Sequence, residues 1–205
     1  MTAALRDAQF QLLLDVLEQV DGTAPTLCEG WDAQELAIHL WQLHRDPIAW
    51  IGTSVRASGG ITKRRAAETR ARWSYAELLG RLRELPATIP CMPDDRFEDC
   101  RHALGEYWIH TQDVARPNGV EQPEPSFELE CALWKRASVA GLALHALRTP
   151  GLVIAWPGVS ARQITPGRTP RVRVEGRPGE VMLWLYGRTS AADVRVVDAS
   201  EPLLV

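Results

Sequence analysis

The fold is decided by the stretch 97–119, FEDCRHALGEYWIHTQDVARPNG. Its apolar residues Leu104, Trp108, Ile109 and Val114 recur at helical spacing, and Pro117-Asn118-Gly119 supplies a stop. Glu106 and His110 stand at i and i+4, so both project from one helical face, roughly 6 Å apart along the axis. A carboxylate and an imidazole so placed can chelate a metal, although the same pair also occurs as a plain surface contact worth a few tenths of a kcal/mol. His102 lies about 12 Å from His110 along the axis, too far for the two to share an ion.

Three more helices precede this one. Leu5, Ala8, Leu12, Leu13, Val16, Leu17 and Val20 form an amphipathic stripe ending at Asp21-Gly22. Asp32 with Glu35 makes a capping box ahead of Leu36, Ala37, Leu40, Trp41 and Leu43, and this helix is expected to run to about Val55 despite Pro47. Ser74 with Glu77 caps a third helix reaching about Leu85. Between them, residues 58–72 hold Gly59-Gly60 and many arginines and read as a solvated loop. Four helices on short to moderate connections predict a bundle over residues 1–120.

Residues 117–126 gather Pro117, Gly119, Pro123 and Pro125 and make a linker. Beyond it a helix from Phe127 to Leu147 gives way to period-two segments at Val153–Trp156, Arg171–Glu175 and Val194–Val196. A short helix, Pro178–Tyr186, has Pro at its start and Gly187 just after its end. The fold class is therefore α+β, a helical bundle followed by a small α+β domain over 121–205.

Composition excludes several functions. Lys and Arg number 23 against 26 Asp and Glu, a net charge of −3, so there is no positive field to hold a nucleic acid or an anionic membrane. No apolar run approaches the ~20 residues of a membrane span, and the amino terminus lacks the tripartite order of a signal peptide, so a cytoplasmic protein is expected. Cys28, Cys91, Cys100 and Cys131 form no CxxC, which argues against a zinc ribbon or a redox pair. Among the basic residues only Lys63 and Lys135 are lysines, a bias that GC-rich codons produce.

The third ligand beside Glu106 and His110 should come from another helix. His39, one turn into a capped amphipathic segment between Leu36 and Leu40, is the candidate. Two His and one Glu leave a coordination sphere incomplete, as catalytic rather than structural zinc sites do. His44, about 140° round the helix from His39, does not face the same point. Cys28, just before a helix start, reads as a packing residue rather than an activated thiol, and His145 as a satisfied core or surface histidine. Asp113, three residues after His110, either orients the imidazole or caps a turn. The eight tryptophans read as core, and Trp108 is placed to wall a pocket.

Three motifs carry a resemblance: PTLCEGW at 25–31, ELAIHL at 35–40 and EYWIHTQDV at 106–114. They resemble the mycothiol-dependent maleylpyruvate isomerase-like branch of the DinB-like metalloproteins, closest to a compact actinobacterial metal-binding subgroup. The stretches VEGRPGE at 174–180 and LWLYGR at 183–188 resemble that family's carboxy-terminal domain. The resemblance spans nearly the whole chain. It implies a four-helix bundle holding a divalent metal, usually zinc, through His39, Glu106 and His110. The chain departs from the pattern at Thr111 and Gln112, where the subgroup has a second His and a Glu, and near Ala115, where it has an Arg.

The implied activity is that of a metal-dependent enzyme. A low-molecular-weight thiol, by resemblance mycothiol, would add to an electrophilic small molecule, giving isomerisation or thiol transfer. A water-activating hydrolase of a small amide or thioester, and a non-catalytic metal- or ligand-binding module, are the alternatives. Arg188 either complements the carboxyl end of its helix or, by resemblance to a second domain that closes over the metal, clamps a substrate carboxylate. The expected partners are a small substrate and a thiol, and the expected assembly is a monomer or homodimer.

Overall fold

The computed structural model describes residues 1–46, 59–90, 92, 97–145 and 151–201. The chain divides into two compact units, Met1–Gln122 and Pro123–Val205. The first is helical and the second combines helices with a four-stranded sheet, the α+β class that the sequence predicts.

In the first unit α1 (Thr2–Glu18) buries Phe10, Leu13, Leu14 and Leu17, the i, i+3, i+4, i+7 stripe of a helix with one core face. Helix α2 (Ala33–Arg45) buries Leu36, Ala37, Leu40 and Leu43. At its start Asp32 accepts the Glu35 amide, the first half of the expected capping box, while the Glu35 carboxylate meets Arg70 Nε at 3.1 Å. The part of the expected helix beyond Asp46 lies outside the described residues.

Residues 59–72 are not a loop but α3 (Gly59–Arg72). The segment is mostly polar, with Ala66 packed against the core, so no apolar stripe announces it. It is docked instead by Arg70 on Asp32, by Arg65 on Asp46 at 2.6 Å, and by Trp73, just past its end, edge-on against Trp41.

The full capping box of Ser74 and Glu77 opens α4 (Tyr75–Arg83), which buries Leu78, Leu79 and Leu82. The Tyr75 hydroxyl donates to Leu17 O at 2.7 Å, tying the start of α4 to the end of α1. Helix α5 (Arg101–Asn118) contributes Ala103, Tyr107, Val114 and Ala115 to the same core. It begins after Asp99 and Cys100, both at positive φ, and it runs through Pro117 rather than stopping before it.

In the second unit α6 (Phe127–His145) packs against α7 (Pro178–Leu185). The end of α6 expected at Leu147 lies outside the described residues. The sheet has the order β2-β1-β3-β4, from β1 (Leu152–Trp156), β2 (Ser160–Gln163), β3 (Val172–Glu175) and β4 (Arg195–Asp198). Strands β1 and β3 run parallel, and the two outer pairs are antiparallel. Gly151 precedes β1 at a φ of 56°, where a Cβ would collide with Thr169 O. The alternation of β3 holds, yet its polar residues are buried: Arg173 Nε donates to Glu175 Oε1 at 2.7 Å, and Arg195 Nη1, across the strand pair, reaches Glu175 Oε2 at 3.2 Å. Among the described residues no helix is long and apolar enough to cross a membrane.

Candidate metal centre

His39 on α2 and the Glu106–His110 pair on α5 meet. Each offers one ligand atom, and the three atoms lie within 4.8 Å of one another. Imidazole rings 39 and 110 stand edge to face with centroids 5.1 Å apart. His110 Nε2 is 3.6 Å from Glu106 Oε2. Two ligands each about 2.0–2.1 Å from one tetrahedral zinc would stand about 3.3 Å apart, so the pair is near chelating separation without being hydrogen-bonded tightly to itself.

The other face of the His110 ring meets a second acidic group. Its Nδ1 lies 2.9 Å from Asp113 Oδ2, which also accepts from Cys28 Sγ at 3.1 Å. Cys28, His110 and Asp113 thus make a second trio of donor atoms that could hold an ion. Their separations of 2.9 and 3.1 Å are hydrogen-bond lengths, shorter than the ~3.3 Å between two ligands of one tetrahedral zinc. The first trio therefore fits a metal and the second fits a support for it. A ligating imidazole commonly donates its other N–H to a carboxylate, and Asp113, fully buried, accepts here.

Electrostatics agree with a site built for a cation. Burial alone would raise the Glu106 carboxyl, but the His110 imidazole 3.6 Å away and the nearby rings of His102 and His39 hold it at about 2. Burial alone would likewise lower His110, yet Asp113, Cys28 and Glu106 outweigh it and raise this imidazole well above its ordinary value. A proton between Glu106 and His110 is the simplest cation that the pair can hold.

The remaining candidates fall outside the trio. His102 Nε2 stands 3.9 Å from Glu106 Oε1. His44 points into the core against Phe10 and Tyr107. His145 meets Leu185 O in the second unit, and Trp108 is buried. Thr111 and Gln112 serve the fold: Thr111 donates to Tyr107 O and accepts from Gln9, and Gln112 accepts from Arg116 and donates to Gln122. Arg188, also in the second unit, donates through Nη1 to Tyr186 O at 2.7 Å, just past the end of α7.

Sequence reasoning used the loop before α2 only for its resemblance and gave Cys28 and Trp31 no place beside the ligands. Trp31 packs on His39 at 5.1 Å, and Cys28, read as a packing residue, sits on Asp113. A signal existed four residues beyond Asp113, in Pro117, whose missing N–H leaves the Asp113 carbonyl for another donor.

No protein-family model and no curated protein matches this sequence. Two solved structures do. A histidine-to-alanine mutant of mycothiol-dependent maleylpyruvate isomerase superposes with a TM-score of 0.64 at 18% identity, over 100% of this chain and 95% of the other. The chain shares that enzyme's fold. A second structure of the isomerase gives a TM-score of 0.59 at 19% identity with the same coverage. At this identity the likeness speaks for architecture, and chemistry must be argued from the site.

Proposed function

We propose that the protein is a metal-dependent enzyme that uses a low-molecular-weight thiol, mycothiol by analogy with the isomerase whose fold it shares, on a small electrophilic substrate. The observation that carries this reading is the convergence of His39, Glu106 and His110, with the second nitrogen of His110 held by a buried carboxylate. These three residues would hold a divalent ion, for which zinc suits the donor set, and would leave room for an exogenous ligand. When bound, such an ion supplies a nucleophile at neutral pH by lowering the pKa of a thiol that joins it.

The protein's own residues have separate tasks. Glu106, ionised down to low pH, contributes the one negative charge among the three ligands, which leaves a net positive centre to attract a thiolate. Trp31 against His39 fixes one imidazole by packing, and Asp113 on His110 fixes the other by hydrogen bonding. Addition of the thiol to a conjugated double bond, rotation about the resulting single bond and expulsion of the thiol would isomerise the substrate with no net consumption of thiol. Transfer of the thiol to the substrate would consume it.

One experiment tests site and cofactor together. Purified protein is expected to hold one divalent metal per chain, and His39→Ala or His110→Ala to lose most of it. The cobalt-substituted protein is expected to develop a thiolate charge-transfer band on addition of mycothiol. Full metal content in either variant would overturn the ligand set, and a silent cobalt spectrum would favour a water-activating hydrolase.

In the same proposal Arg188 holds a substrate carboxylate in bidentate fashion. Its bond to Tyr186 O is what a charge complementing the end of α7 would also make, so the substitution Arg188→Lys discriminates. Loss of the planar fork should raise KM while metal content and melting temperature stay put, whereas unchanged kinetics would leave only the helix-end role.

A further inference from the structure

We propose that Asp113 is the positioning residue of the metal centre and that it acts twice, through its side chain on His110 and through its main-chain carbonyl on the loop 26–31. The inference rests on the metal reading given above.

The carbonyl is the less obvious half. In a continuous helix the oxygen of residue 113 receives the N–H of residue 117, but that residue is Pro117, which has none. Asp113 is fully buried, so an orphaned carbonyl would go unsatisfied by solvent. Leu27 supplies the missing donor, its backbone N–H reaching Asp113 O at 2.9 Å. Asn118 adds a second tie to the same loop, its Nδ2 donating to Pro25 O at 2.9 Å. The proline thus opens a docking point in the last turns of α5, and the loop before α2 fills it.

The docked loop has a fixed shape. Thr26 Oγ1 accepts from Cys28 N at 3.1 Å and donates to Trp31 O at 2.9 Å, Trp31 N closes on Cys28 O at 3.0 Å, and Gly30 turns the chain at a φ of 77°. That shape delivers two side chains to the site at once: the Cys28 thiol to Asp113 Oδ2 and the Trp31 ring to His39. Both imidazole ligands are therefore braced from one loop, and its anchor is the residue that also fixes His110. With Nδ1–H donated to Asp113, the lone pair of the neutral imidazole stands on Nε2, the atom that faces Glu106.

The test is a competition titration of zinc alone against a chromophoric chelator, with the wild-type protein, Asp113→Asn and Pro117→Ala. Asp113→Asn is nearly isosteric and is expected to weaken zinc 10–100-fold, with a shifted visible spectrum in the cobalt form. Pro117→Ala touches no ligand; its restored N–H competes for the carbonyl. It is expected to weaken zinc several-fold and to speed hydrogen exchange at the Leu27 amide, while the helix itself gains propensity. Zinc affinities within twofold of wild type in both variants, with the wild type binding zinc, would overturn this inference alone. A weakened Asp113→Asn beside an unchanged Pro117→Ala would overturn its carbonyl half. A wild-type protein that binds no zinc would overturn the metal reading beneath it.

Discussion

His44 and Tyr107 settle each other's protonation. The phenol has one hydrogen, and at 2.7 Å from Ala87 O, which can only accept, that hydrogen is committed. The contact of 3.0 Å between the hydroxyl and His44 Nε2 must then be donated by the imidazole, so Nε2 carries a proton. Burial and then the adjacent Arg45 push His44 down to about 4 from an ordinary value of 6.5. Between those values the unfolded chain takes up a proton that the folded chain refuses. The resulting stability is fully present above pH 6.5 and drains away as the pH falls through 4. The two pKa values set this loss at about 3 kcal/mol. Urea unfolding at pH 7 and at pH 4.5 checks it. His44→Gln keeps a donor for the hydroxyl but cannot take a charge, so its stability should fall distinctly less between the two pH values. Equal losses in the two proteins would remove His44 as the cause.

At the scale of elements, legibility followed the source of each element's stability. Helices α2 and α4 bury an apolar stripe, which periodicity reads directly, and the Ser74 cap is local. In α1 the stripe read through Leu5, Ala8 and Leu12 is offset from the buried face, where Phe10 and Leu14 join Leu13, Val16 and Leu17, and α5 is buried all round from Tyr107 to Ala115. Helix α3 was read as a loop because its anchors are distant. Arg70 finds Asp32 and Arg65 finds Asp46 only once the chain has folded, and nothing within 59–72 points to them. Strand β2 escaped for a related reason: all four of its side chains are exposed, so no alternation marks it, and backbone pairing to β1 alone makes it a strand. The stop read at Pro117-Asn118-Gly119 holds, with α5 ending at Asn118 and Gly119 as its left-handed cap, although a proline within a helix usually costs it a hydrogen bond. The helix continues through it since the freed Asp113 carbonyl is satisfied by Leu27. The candidate site divides in the same way. His39, Glu106 and His110 were visible as spacing on amphipathic helices, whereas Cys28 and Trp31 reach the site through a loop whose docking depends on a backbone bond between residues far apart in sequence.

For the whole molecule, residues 119–126 join the end of α5 to the start of α6, and along them the chain passes from a helical unit to one that carries the sheet. The boundary falls between Gln122 and Pro123. Residues 120–126 have no regular structure, and Glu121 is exposed, flanked by Val120 N on Ala115 O and Gln122 on Gln112. A protease needs a segment of several residues in extended form, which a connector tied at few points supplies more readily than a helix does. Brief digestion of the native protein by a glutamate-specific protease is therefore expected to cut first after Glu121. The bond after Glu124 should resist, because Pro125 follows and because the Glu124 carboxylate is paired with Arg177 at 2.9 Å. Mass spectrometry of the first fragments decides: a pair ending at Glu121 and beginning at Gln122 places the weak point at the junction. A first cut after Glu18, Glu35 or Glu84, within or beside the helices of the first unit, would instead show that the connector is held more firmly than the bundle it leaves.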